Sequence, residues 1–124
     1  MGEFVSASIT MAVDTKKNGI RIHKAMFRQL GEPRYIQLLV NPNDKVVAIQ
    51  TVPKDMSDRY AHRIVEKRMQ SESSYEIYSL PFIRKLREVE PGIEDGAAYR
   101  LTGRIIPSLR MAVFSLDTLQ RIDR

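Results

Sequence analysis

The chain has 124 residues, 43% of them hydrophobic, enough for one domain or for two small ones that share a core. It contains no Cys, which excludes disulfides, thiolate metal sites and a cysteine nucleophile, and no apolar run approaches the roughly 18 residues that cross a bilayer. Twenty Lys and Arg against 15 Asp and Glu give a net charge of +5, which inclines the protein toward anionic partners if the charge is concentrated. No basic-then-apolar leader opens the sequence, so a cytoplasmic location is expected.

Residues 1–8 make no structural demand. Ser8 to Val13 has β character, and Asp14-Thr-Lys-Lys-Asn-Gly19 is turn chemistry whose Asn-Gly pair suits a hairpin. Ile20 and Ile22 then alternate with Arg21 and His23, the period of a half-buried strand. From Lys24 the period changes: Met26, Phe27 and Leu30 fall on one side of a short helix that Gly31 closes. Tyr35 to Val40, the turn Asn41-Pro42-Asn43-Asp44, and Lys45 to Val52 predict a second hairpin. Pro53 ends this unit.

Residues 57–70 read as a connector with helical potential, capped by Ser57 or Asp58. Tyr75 to Tyr78 is a strand and Leu80 to Leu86 a short helix with Pro81 in its first turn. Ala98 to Ile106, the turn Pro107–Arg110, and Met111 to Leu116 form a third hairpin, after which Asp117 is placed to cap a last helix over 118–122. The order strand, short helix, strand, turn, strand thus occurs twice, at a spacing of roughly 55 residues, with Ile22 matching Ile77 and Arg28 matching Arg84. The expectation is an α+β protein, mostly β. Its two related β-α-β-β halves, 1–52 and 75–124, would be joined by the connector 53–74 and packed as one core. The second half shows no clear first strand.

Charge is concentrated in the first half. Lys16, Lys17, Arg21, Lys24, Arg28 and Arg34 fall within 19 residues that hold Glu32 as their only acid. They are the candidate nucleic-acid-binding residues: each can neutralise a phosphate and release its counterions. Arg21 and Arg28 are also candidates for bidentate pairing with guanine, and Arg21 should be free for it, pointing outward from between Ile20 and Ile22. The aromatic residues argue against single-stranded ligands, because Tyr75, Tyr78 and Tyr99 neighbour Glu76, Glu90 and Glu94. His23 and His62 stand apart from any acid pair, no glycine-rich phosphate loop is present, and no catalytic residue, metal site or cofactor is expected.

Val13-Asp14, the glycine-containing turn, the strand 20–23, the basic helix closed by Leu30-Gly31, and the hairpin of Leu38-Leu39-Val40 with Lys45-Val46-Val47 together resemble the AbrB family of bacterial transition-state regulators. Gly19 or Ile20 stands where the family has an arginine, and His23 where it has a proline. The resemblance implies a swapped-hairpin β barrel that binds double-stranded DNA through basic residues, carried over to Arg28 and to Lys16 and Lys17. It implies either a homodimer or, with both units in one chain, a monomeric pseudo-dimer. A non-enzymatic protein-interaction module, antitoxin-like or accessory, is the alternative, and it would show an apolar patch from Ile64, Val65 and Met69.

Overall fold

Alternating side chains settle most of the strands. In β1 (Ile9–Asp14) Met11 and Val13 are buried, and in β2 (Gly19–His23) Ile20 and Ile22 are buried while Arg21 and His23 face solvent. β3 (Tyr35–Asn41) and β4 (Val46–Thr51) form the second hairpin, and β7 (Ala98–Ile106) and β8 (Met111–Ser115) the third. The computed structural model describes residues 8–53, 61–64 and 74–122. Within them, β6 (Ser74–Tyr78) and the short strands β5 (His62–Arg63) and β9 (Gln120–Arg121) complete a mostly-β protein.

All the pairings are antiparallel, in the order β5-β3-β4-β8-β7-β1-β2-β6, with β9 beside β7. The sheet curls into a nearly closed barrel. Its seam lies between β6 and β5, where the Tyr75 hydroxyl donates to the Arg63 carbonyl at 3.3 Å. The interior is filled by aliphatic and aromatic side chains, among them Met11, Ile49, Leu101 and Phe114, all within 1% of complete burial. Each such side chain contributes about 1.5–3 kcal/mol when removed from water.

Among the described residues, two α-helices join strands. α1 (Lys24–Gln29) buries Met26 and Phe27, and the Phe27 ring meets Tyr75 of β6 edge-on at 5.5 Å. Gly31 follows it with φ of 87°. α2 (Leu80–Val89) runs three residues beyond its expected end and buries Phe82, Ile83 and Leu86. Ser79 caps it, its hydroxyl accepting from the Phe82 amide.

The order strand, helix, strand, strand occurs as β2-α1-β3-β4 and again as β6-α2-β7-β8. Corresponding strands meet each other: β2 pairs with β6, and β4 with β8. The hairpin β3–β4 is flanked by β5 and β8, both from the later part of the chain. The hairpin β7–β8 is flanked by β1 and β4, both from the earlier part. The strand missing from the sequence reading of the later part is β5, which lies against β3 as β1 lies against β7.

Three expectations need correction. His62 and Arg63 are a strand, so no continuous helix spans 57–70; residues 57–60 and 65–70 of that segment lie outside the described residues. Of the expected patch, Ile64 is partly buried against the core, and Val65 and Met69 lie outside the described residues. The final segment is a 3₁₀ turn, Leu116–Thr118, followed by β9, and its cap is Ser115, whose hydroxyl accepts from the Asp117 amide. Asp117 mimics an N-cap by composition, but the chain leaves the turn extended at Leu119 and pairs with β7.

Candidate nucleic-acid interface

The β1–β2 turn is built by Asp14 and Asn18. One Asp14 carboxylate oxygen accepts from the amides of Lys16 and Lys17 at 2.9 and 3.2 Å, and Asn18 adopts φ of 55°. This holds both lysines, exposed, at the tip of the hairpin. Thr15, buried beside them, ties the turn down: its hydroxyl donates to the Ala97 carbonyl at 2.8 Å.

Beside that turn is a groove of about 620 Å³ on the side of β1, β2 and β6 away from the core. Small residues line its base, Ala12 on β1, Gly19 on β2 and Ala98 on β7. Lys16, Lys17, Arg21 and Arg121 supply cations around it, against the carboxylates of Asp14 and Glu76. Gly19 does not take the positive φ expected of an Asn-Gly turn. Its role is steric, because a Cβ there would stand 2.9 Å from Cδ1 of Tyr78.

Arg21 is not free, in contrast to the sequence expectation. The register sets it opposite Glu76 on β6, and its Nε and Nη2 donate to one Glu76 carboxylate oxygen at 3.1 and 2.7 Å. The Arg21 side chain remains 55% exposed while Glu76 is only 8% exposed. The other oxygen of Glu76 accepts the Tyr78 hydroxyl. That hydrogen bond, with the Arg21 guanidinium next, holds the Glu76 carboxyl below the usual carboxylate range, although burial pulls the other way. The same bond pushes the Tyr78 phenol above its ordinary value. Arg21 is anchored by one edge and still presents most of its side chain to solvent.

The six basic candidates do not all line this groove. Lys16, Lys17 and Arg21 line the groove. Lys24 is half-buried and Arg28 exposed, both on α1, and neither is among the described residues that line it. Arg34 lies at separate depressions, one with Arg110 and one with Arg63. The sequence reading missed Arg121, which lines the groove from β9 and pairs with Glu94 at 2.6 Å. It also missed Arg100, exposed on β7 and in register with Ala12, which in turn faces Arg21. Among the described residues, no group of three His, Asp or Glu side chains is placed to hold a metal ion. No described helix is long and apolar enough to cross a membrane.

Comparison with protein-family models, with curated proteins and with solved structures finds no match to this chain.

Proposed function

We propose that the protein is a DNA-binding barrel of the AbrB-like, swapped-hairpin kind, a small bacterial or mobile-element regulator in which one chain supplies both units. The observation that carries the reading is the groove, where Lys16, Lys17 and Arg21 converge with Arg121 over a base of small side chains. Such a surface admits a phosphate backbone closely and binds it in proportion to the counterions it displaces. The swapped-hairpin reading draws support from the pairing pattern, in which each hairpin is flanked by strands of the other unit.

The test is fluorescence anisotropy of a labelled duplex between about 50 and 200 mM salt, where log affinity falls by about 0.9 per log salt for each phosphate neutralised. Lys16→Ala/Lys17→Ala should flatten that slope by nearly two, whereas Lys24→Ala/Arg28→Ala should leave it within one. A duplex that fails to bind at 50 mM salt refutes the reading.

A protein-interaction module is the second reading, favoured by the outer face of the paired hairpins. There Leu39, 40% exposed, faces Ala48, and Ala48 faces Val113, with Met111 and Val46 on the same side.

A further inference from the structure

Folding separates the three tyrosines of the later strands. Tyr75 and Tyr99 enter the core at 1% and 4% exposure, while Tyr78 stays 55% exposed on the wall of the groove. Its ring is backed by the β2 main chain: a Cβ at Gly19 would lie 2.9 Å from Cδ1 and 3.3 Å from Cε1. Its hydroxyl is held by Glu76, whose second oxygen holds Arg21. One nearly buried carboxylate thus fixes an aromatic ring and a guanidinium relative to each other on one groove. Glu76 and Arg21 balance each other's charge, so the positive potential beside the ring comes chiefly from Lys16 and Lys17, with the Arg21 guanidinium still offering its exposed donors. An exposed ring, immobilised beside cations, has the two elements that bind unpaired nucleic acid: a π-face for a base and positive charge for the flanking phosphates.

We propose that the groove takes an unpaired nucleic-acid strand, with one base stacked on Tyr78 and the adjoining phosphates at Lys16, Lys17 and Arg21. This rests on the nucleic-acid reading of the same groove and narrows it, because a base inside a duplex offers no free face and reaches the ring only by leaving the stack. Glu76 acts as a positioning residue, setting ring and guanidinium, and Gly19 supplies the close backing that any side chain would displace.

Three labelled ligands test it by anisotropy at one salt concentration: a short oligothymidine, the same length of strand with abasic sites, and the annealed duplex. Tyr78→Ala should weaken oligothymidine by about 5- to 100-fold, the range of base–aromatic stacking, and leave the abasic strand and the duplex within twofold. Tyr78→Phe, which keeps the ring and removes the hydroxyl that Glu76 holds, should bind oligothymidine more weakly than wild type and more tightly than Tyr78→Ala; affinity equal to wild type overturns the positioning role of Glu76. Because the chain has no Trp, Tyr78→Trp provides an independent readout in a folded protein. Its fluorescence should be quenched by oligothymidine and not by the abasic strand. Salt-sensitive binding of all three ligands with no dependence on Tyr78, or an unquenched Trp at saturation, overturns the stacking proposal and leaves the phosphate surface standing. Absence of binding to every ligand overturns both.

Discussion

Gly103→Ala isolates one close approach within the barrel. Gly103 lies on the core side of β7, paired with Ile9 of β1 on one edge and Phe114 of β8 on the other. A Cβ at this position would come within 2.0 Å of the Val113 carbonyl oxygen, 2.7 Å of Cδ2 of Phe114 and 2.9 Å of its Cα. An ordinary carbon–oxygen contact needs about 3.3 Å, so the two strands would have to separate by over an ångström. Two of the three obstacles are main chain, which no rotamer change can move. Inserting a methyl into a packed core costs about 1–3 kcal/mol. Here the lost ladder hydrogen bonds, about 1 kcal/mol each, add to that, so a loss of at least about 3 kcal/mol is expected. For a chain of this length that lowers Tm by roughly 12 °C, at about 4 °C per kcal/mol. Thermal melting followed by circular dichroism measures it, and urea unfolding with an unchanged slope checks that the native state is otherwise intact. A Tm within about 3 °C of wild type would refute the close packing of β7 on β8.

The Arg21–Glu76 pair should show coupling. In a double-mutant cycle of Arg21→Ala and Glu76→Ala, urea unfolding should give an interaction of about 1 kcal/mol, above the usual value for exposed pairs because one partner is nearly buried; additive losses would refute the pair. His62 should make stability depend on pH, since burial lowers its pKa from the usual 6.5. The unfolded chain then takes up the proton first, so the contribution is intact above pH 6.5 and is lost as pH falls toward the folded-state value. Between pH 7.5 and 5.5, His62→Phe should lose less Tm than wild type does, and equal losses would refute the assignment.

The long strands and both helices were legible because period and punctuation agreed: Ile20 and Ile22 against Arg21 and His23, then Met26, Phe27 and Leu30 closed by Gly31. β5 was not, because two residues, His62 and Arg63, carry no period; only β3 beside them makes a strand. β9 was read as helix from Asp117, a residue type shared by caps and tight turns. For the candidate site, composition marked Lys16, Lys17 and Arg21, which line the groove, together with Lys24, Arg28 and Arg34, which do not. Glu76, next to Tyr75 in sequence, argues by itself against an aromatic ligand surface; the Arg21 that pairs with it across the sheet is not visible from sequence neighbours. Yet a signal for the pair was present. The spacing that aligns Ile22 with Ile77 also aligns Arg21 with Glu76, 55 residues apart, and two related strands that pair antiparallel bring matching residues face to face near their centre.

The interleaving of the hairpins has a consequence for synthesis. β1 finds one partner at once, in β2, but its other edge waits for β7, with Ile9 opposite Gly103. At about 5–20 residues per second, the ribosome needs roughly 5–20 s to deliver that partner. Throughout that interval β1 carries an open strand edge, and the β4 edge of the hairpin β3–β4 lacks its partner β8, although β5 already follows to flank β3. Barrel closure therefore waits until β7 and β8 have both been made. A product that stops before β7 leaves the outer edge of β1 and the β4 edge of the β3–β4 hairpin unpaired, a substrate for chaperones and proteases rather than a smaller folded protein.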